Sequence, residues 1–252
     1  MSLFAIADLH LSLGSDKPMD VFGGKWKNYV EKIKDGWHGT VGPEDTVVLL
    51  GDISWALTFE QLLPDFALLE SLPGRKIIIK GNHDYWWNTL TKLEAFMAQQ
   101  GMRTISFLFN NAFRVGDISV SGTRGWDIFS ATGHDDKIRR REAGRLRASL
   151  DHAVRLGGEP VAFLHYPPVS ERSGRDELLD TIRDYGVRRC YYEHIHSGGL
   201  GRAFHAALLC EPLLGVARKP VARGVEAHAV GTVQQVELVL LDDPHEPLGV
   251  VG

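Results

Sequence analysis

The stretch Lys76–Asp84, which reads Lys-Ile-Ile-Ile-Lys-Gly-Asn-His-Asp, decides the fold and the chemistry predicted for this chain. The apolar run Ile77–Ile79 is typical of a buried β-strand, because it is short and β-branched and is soon followed by Gly81. The polar group Asn82–Asp84 then stands at the carboxyl end of that strand. Open α/β sheets bind their ligands at this end of their strands, so the stretch predicts a functional site there.

Four other short apolar runs end in the same way, each at an Asp or a His. The runs and the polar residues after them are Leu3–Ala7 with Asp8 and His10, Thr46–Leu50 with Asp52, Val161–Leu164 with His165, and Cys190–Tyr192 with His194 and His196. Oxygen and imidazole groups suit Zn, Mn, Fe or Mg ions, and no thiolate stands among them. With Asn82 the set comprises seven groups, which is enough for two metal ions if the strand ends converge.

The set and order of these motifs resemble the calcineurin-like metallophosphoesterases. The resemblance rests on Asp8-x-His10, Gly51-Asp52, Gly81-Asn82-His83-Asp84, His165 and His194-x-His196, and it covers residues 3–197. It implies an α/β fold, a four-layer αββα sandwich of two mixed β-sheets flanked by helices. It also implies a dimetal phosphohydrolase that cleaves a phosphomonoester or phosphodiester by attack of a hydroxide bridging the two ions.

The resemblance and the chemistry of the residues assign the same roles to the site. One ion is expected at Asp8, His10, Asp52 and His196, and the other at Asp52, Asn82, His165 and His194. Asp52 is the expected bridge between the ions. His83 is expected to protonate the leaving oxygen or to stabilise its charge, and Asp84 to orient and charge His83. Arg124 is the candidate for binding the substrate phosphate, with a salt bridge as an equal alternative.

Two positions depart from the family's pattern. Many members carry an acid three residues after the bridging Asp, where this chain has Trp55, although that position is not a ligand. The residue before the final His-x-His is usually Gly, and here it is Glu193. A glycine there would accommodate φ > 0, whereas the alternative is that the Glu193 carboxylate bonds to a ligand imidazole.

Composition is typical of a globular protein, and the resemblance implies a small phosphorylated substrate. Because the candidate ligands are spread from residue 8 to residue 196, we expect a single domain over 1–252, with the motifs in 3–197 and a tail, 198–252, that matches no pattern. A net charge of −4 and a pI of 6.3 argue against a nucleic-acid surface covering the molecule. The amino terminus lacks a charged n-region and no apolar run reaches membrane-spanning length, so we expect a soluble, cytoplasmic protein with no membrane partner.

Hydrophobic periodicity predicts the remaining elements. Predicted helices are 25–33, 57–72, 88–100, 135–156 and 175–185. In the second of these, Pro64 is expected to start a separate helical segment. Short strands over 104–109, 113–115 and 118–121 suggest a second sheet. In the helix over 135–156, the stripe of Ile138, Leu146, Leu150 and Val154 is expected to be buried.

Two other functions stay open at this point. The first is a nuclease of the same family, against which the acidic pI and the lack of an added nucleic-acid module count. The second is a catalytically inactive binding scaffold on the same fold. Degenerate members of that kind have usually lost ligands or the catalytic His, whereas all seven ligand types and His83 are present here.

Overall fold

The computed structural model describes residues 1–17, 19–23, 26–126, 133–168, 177–192, 206–209 and 239–240. The chain divides into two compact units, the first formed by Met1–Phe109 with Val230–Gly252 and the second by Asn110–Ala229. The single domain expected over 1–252 stays a prediction.

In the described residues, the first unit is built on a mixed five-stranded sheet. In spatial order its strands are β10 (Val239–Leu240), β1 (Leu3–Ile6), β2 (Thr46–Leu49), β3 (Arg75–Ile78) and β4 (Ile105–Phe107). Strands β1 to β4 are parallel, with Leu3 opposite Thr46 and Thr46 opposite Arg75, while β10 is antiparallel to β1. Every side chain of β1 and β2 is buried, as is usual for central parallel strands covered on both faces.

The helices described in the first unit follow β1, β2 and β3 along the chain. They are α1 (Tyr29–Thr40), α2 (Phe59–Ser71) and α3 (Leu90–Gln99). Helix α1 begins at Tyr29 rather than at residue 25, because the preceding Asn28 adopts a left-handed backbone with φ of 56°.

Helix α2 continues through Pro64, so the separate segment predicted there is wrong. Pro64 removes one backbone hydrogen bond from the helix. Leu62 and Phe66, on either side of it, are both fully buried and belong to one hydrophobic core. Their shared packing keeps both turns in one helix despite the lost bond.

The described part of the second unit is a second mixed five-stranded sheet with two helices. Its elements are β5 (Phe113–Val115), β6 (Ile118–Thr123), α4 (Gly133–Leu156), β7 (Glu159–Leu164), α5 (Glu177–Asp184), β8 (Arg189–Tyr192) and β9 (Ala206–Leu209). The strands lie in chain order; β6, β7 and β8 are parallel, and the edge strands β5 and β9 are antiparallel to their neighbours.

Two details of the second unit differ from the sequence predictions. The second sheet begins at the β5–β6 hairpin, whereas β4 pairs with β3 in the first sheet. Val154 is 61% exposed, so its predicted place on the buried stripe of α4 is wrong. The buried stripe runs through Leu146, Leu150 and Ala153. Ala153 follows Leu146 by nearly two full turns of a helix with 3.6 residues per turn, so the two side chains lie on the same face.

The predicted α/β class, with two mixed sheets and flanking helices, is confirmed. Cys190 is a buried free cysteine. Among the described residues, no helix combines the length and the apolar character needed to cross a membrane.

Candidate metal centre

The pairing of β1 with β2 continues past both strands into the residues that carry candidate ligands. The N–H of Asp8 donates to the carbonyl of Gly51 at 3.1 Å, and the N–H of His10 donates to the carbonyl of Asp52 at 2.9 Å. Asp8, His10 and Asp52 have φ values of 54°, 45° and 53°, in the left-handed region that residues other than glycine rarely adopt. The extended ladder holds this unusual backbone in place.

The side chains of Asp8, His10 and Asp52 form a buried cluster. Each offers one ligand atom, and these atoms lie within 4.8 Å of one another. Burial, followed by the nearby carboxylates of Asp84 and Asp8, raises the pKa of Asp52 to about 9. Carboxylates this close repel one another when charged, and a bound cation would remove that repulsion. Two carboxylates and an imidazole are also ligands that Zn²⁺ and Mn²⁺ accept, so the residues fit a divalent metal ion.

The turn after β3 closes around the Asp52 carboxylate. The backbone N–H of His83 donates to Asp52 Oδ1 at 2.8 Å, and the backbone of Asn82 also hydrogen-bonds to this carboxylate. A Cβ at position 81 would collide with Oδ1 and with the backbone N of Asp52. Only glycine therefore fits at Gly81, and the turn places Asn82 and His83 beside Asp52.

Asp84 occupies the centre of a network of N–H donors. Its carboxylate, which is fully buried, accepts hydrogen bonds from the backbone N–H groups of Asp52 (3.0 Å), Ile53 (2.8 Å), Ser54 (3.3 Å) and Gly81 (2.7 Å) and from the indole of Trp86 (3.2 Å). Burial raises the pKa of Asp84, and the backbone donors act against that rise. Asp84 therefore fixes the backbone around Asp52, while its predicted role in orienting His83 stays a prediction.

His83 stands at the edge of the cluster. Its side chain is 28% exposed, and its Nε2 lies 3.9 Å from Asp52 Oδ2. Its Nδ1 lies 3.4 Å from the hydroxyl of Tyr85, which is itself exposed. An imidazole that is close to the buried carboxylates and still reached by solvent can exchange a proton with a bound molecule.

Another buried carboxylate, Asp65 of α2, hydrogen-bonds to both of the loops that follow β1 and β2. It accepts the N–H of Leu13 at 2.8 Å and the hydroxyl of Ser54 at 2.5 Å. Burial raises the pKa of Asp65, and these two donors oppose the rise. Asp65 thus restrains the same loops from the helix side.

The candidates of the second unit lie at neighbouring strand ends. His165 directly follows β7, is fully buried and meets Tyr166 edge-on with ring centroids 5.1 Å apart. Arg124 directly follows β6, and its carbonyl accepts the N–H of Tyr166 at 2.8 Å. The Arg124 guanidinium lies 4.6 Å from the centre of the Trp126 ring. Burial lowers the pKa of Arg124, and the charge of Glu142 opposes this effect.

The candidates therefore fall into three groups. In the first unit the structure brings Asp8, His10 and Asp52 together, with the turn Gly81–Asp84 beside them. His165 and Arg124 belong to the second unit. His194 and His196, like Glu193, lie outside the described residues, and their role as ligands stays a prediction.

Three aromatic side chains around His10 are absent from the site predicted from sequence. The hydroxyl of Tyr29 donates to the carbonyl of His10 at 3.0 Å, and Trp26 meets the His10 ring at 6.3 Å between centroids. The helical spacing of these two residues favours core packing and gives no signal of a site. Trp55 stacks on His10 at 4.9 Å. The sequence signal for Trp55 is its departure from the pattern of the family that the motifs resemble.

Comparison with solved structures shows similarity in fold to TT1561, and two further structures match with lower scores. TT1561 of Thermus thermophilus is 13% identical over 99% of this chain and 97% of that chain, with a TM-score of 0.51. The phosphopantetheinyl hydrolase PptH from Mycobacterium tuberculosis is 16% identical over 77% and 83% of the two chains, with a TM-score of 0.44. AQ665 from Aquifex aeolicus, a protein of unknown function, is 18% identical over 75% and 87%, with a TM-score of 0.38.

Similarity to curated proteins is confined to a short segment. The tRNA-specific 2-thiouridylase MnmA of Burkholderia multivorans is 44% identical over 50 residues, which are 20% of this chain. The matched segment spans 13% of the length of that relative, and the same holds for MnmA of Burkholderia thailandensis. A match of this extent assigns no function to the chain.

The family model described as calcineurin-like phosphoesterase matches residues 1–198, which contain all the candidate ligands. The matched range agrees with the motif-bearing part expected over 3–197. The family is hydrolytic and metal-dependent, and the buried cluster of Asp8, His10 and Asp52 fits that chemistry. The chain belongs to the calcineurin-like phosphoesterase family.

Proposed function

We propose that this chain hydrolyses a small phosphomonoester or phosphodiester at a centre of two divalent ions. The observation that carries the proposal is the buried cluster of Asp8, His10 and Asp52, whose ligand atoms lie within 4.8 Å of one another. The imidazole of His83 stands 3.9 Å from the same Asp52 carboxylate. A metal-binding cluster with a proton donor at its edge suits metal-assisted ester cleavage.

The proposed ligands divide between the two ions. Asp8, His10, Asp52 and His196 would hold one ion, and Asp52, Asn82, His165 and His194 would hold the other, each ion being Mn, Fe, Zn or Mg. Two such ions would supply Lewis acidity toward the phosphoryl oxygens of the substrate and toward an attacking water. Asp52 supports this arrangement because its carboxylate is held by the backbone of His83 on one side and faces His10 on the other.

His83 carries the proton step in this proposal. The imidazole protonates the leaving oxygen from Nε2, the atom that faces the cluster, while Nδ1 lies against the Tyr85 hydroxyl. Proton donation of this kind contributes about 10²–10⁴-fold to the rate of a reaction with a poor leaving group. Arg124 is the proposed contact for the substrate phosphate.

The test combines substrate screening with one variant. Purified protein loaded with Mn²⁺, Fe²⁺, Zn²⁺ or Mg²⁺ is assayed on nitrophenyl phosphate, the bis-nitrophenyl diester and alkyl phosphates. We expect His83→Ala to lower kcat by about 10²–10⁴-fold on alkyl phosphates and much less on nitrophenyl esters, which need no proton on the leaving group.

The matched control is His38→Ala, because His38 is an exposed imidazole in the last turn of α1. Metal content is measured for both variants. A metal-loaded parent that cleaves no ester of the panel would overturn the proposal. If His83→Ala loses its metal, then His83 is a ligand and the assigned proton step is wrong.

A further inference from the structure

One indole, that of Trp55, contacts the imidazoles of both His10 and His83. The Trp55 ring is stacked on His10, with centroids 4.9 Å apart and planes 16° from parallel. The same ring meets His83 at 4.5 Å with an angle of 48° between the planes. The two imidazoles are 5.8 Å from each other. Trp55 therefore touches a proposed ligand and the proposed proton donor at the same time.

The indole is itself fixed on several sides. Its Nε1 donates to the sulfur of Met19 at 3.1 Å, and the backbone N–H of Trp55 donates to the carbonyl of Leu11 at 2.9 Å. The ammonium of Lys17 lies 3.2 Å from the centre of the ring, which is cation–π geometry. These contacts hold the indole in one orientation, so it can restrain the rings that pack against it.

A fixed indole matters because the χ2 torsion of an unrestrained histidine takes a broad range of values. Metal-binding imidazoles are usually oriented by a hydrogen bond at their second nitrogen. A stacked indole restrains the plane of the His10 ring by excluding other orientations. Contact with the same indole limits the orientations open to the His83 ring, although that side chain remains partly exposed to solvent.

We propose that Trp55 is a positioning residue of the metal centre. Its indole sets the orientation of the His10 and His83 rings relative to each other. A change at Trp55 would therefore affect both metal binding by His10 and proton donation by His83. This inference rests on the proposed function, because it assumes that His10 is a ligand and that His83 donates the proton.

The test uses two replacements of Trp55. Trp55→Leu keeps an apolar side chain without a flat ring, whereas Trp55→Phe keeps a ring. Calorimetric titration of chelator-treated protein with Mn²⁺ measures metal affinity without any turnover. We expect Trp55→Leu to bind Mn²⁺ about 10–100-fold more weakly, as is typical when a group that orients a ligand is lost. Trp55→Phe should recover most of this affinity.

The second readout is the ratio of kcat for alkyl and nitrophenyl phosphates at saturating Mn²⁺. We expect Trp55→Leu to lower this ratio by about tenfold, because a misplaced His83 affects only leaving groups that need a proton. The matched control is Phe59→Ala, which removes a ring stacked 4.6 Å from Phe96 in the same unit. It should change neither readout.

The outcomes separate the two proposals. If Trp55→Leu binds Mn²⁺ within about twofold of the parent and keeps the parent's ratio, the positioning role is wrong. It is equally wrong if Phe59→Ala weakens binding as much as Trp55→Leu, since the effect is then general destabilisation. If the parent turns over no ester, the proposed function fails, while the Mn²⁺ titration still decides whether Trp55 orients the ligand.

Discussion

Replacing Asp84 with asparagine is the sharpest perturbation that the structure offers. Oδ2 of Asp84 accepts N–H groups from Asp52 and Gly81, and Oδ1 accepts those of Ile53, Ser54 and Trp86. An amide has one oxygen and one NH₂ group, and the NH₂ group cannot accept a hydrogen bond. Whichever way the amide is turned, at least two buried N–H donors then face another donor.

The magnitude follows from these donors. A buried polar group that loses its partner costs about 1–3 kcal/mol, so two such groups predict a loss of about 2–6 kcal/mol in the free energy of unfolding. In the orientation that loses the fewest partners, the NH₂ group replaces Oδ2, and the affected N–H groups are those of Asp52 and Gly81, which shape the metal cluster. We therefore also expect Mn²⁺ to bind about 10–100-fold more weakly.

Equilibrium unfolding in urea of the chelator-treated protein measures the first quantity, and calorimetric titration measures the second. Asp65→Asn is the matched control, because Asp65 is also a fully buried carboxylate with both oxygens bonded. Its partner Ser54 has a hydroxyl that can accept from the new NH₂ group, so this variant should lose at most about 1 kcal/mol. An Asp84→Asn protein as stable as Asp65→Asn, with the parent's Mn²⁺ affinity, would refute the role assigned to Asp84.

Two further predictions concern other buried positions. Gly81→Ala should cost about 1–3 kcal/mol of stability and weaken Mn²⁺ binding, since its Cβ collides with Asp52. Gly39→Ala, at a helical site with open space around it, should be neutral or stabilising, and equal losses in both variants would contradict the steric argument. Lys76 is fully buried, and burial lowers its pKa to about 8, against about 10.4 when unfolded. Between these values the unfolded chain holds a proton that the folded chain has released, so the free energy of unfolding should rise with pH by about 1.4 kcal/mol per unit from this group. Urea unfolding of the parent and of Lys76→Met at pH 7 to 10 measures the difference in slope, and parallel curves would show that Lys76 does not titrate in this range.

The strand ends of the first unit could be predicted from sequence because each depends on a local pattern. A short apolar run followed by Asp, Asn or His predicts both a buried parallel strand and a polar group at its carboxyl end. The cluster of Asp8, His10 and Asp52 follows from that rule applied to β1 and β2. Gly81 also has a local signal, although its reason, the close approach of Asp52, is visible only in three dimensions.

The contacts that hold the cluster could not be predicted in the same way. Asp84 accepts donors from residues 30 to 32 positions away, and nothing in Gly-Asn-His-Asp says that its last residue binds the backbone of a neighbouring loop. The course of α2 through Pro64 likewise depends on tertiary packing, which outweighs the local signal of proline. Patterns give the position of a side chain on its element, and the partner of a buried polar group depends on how the elements pack.

The left-handed backbone at the cluster gives a reason for this concentration of buried hydrogen bonds. A residue other than glycine in that conformation costs of order 1–3 kcal/mol. Asp52, with φ of 53°, cannot be replaced by glycine without losing its carboxylate, so its strain has to be offset by surrounding contacts. Its N–H bonds to Asp84, and its carbonyl accepts the N–H of His10, which is itself left-handed with φ of 45°. Each of these strained residues is thus held by a hydrogen bond to a neighbour at the same cluster. A substitution at Asp84 would therefore shift the backbone of the candidate ligands even though it changes none of their side chains.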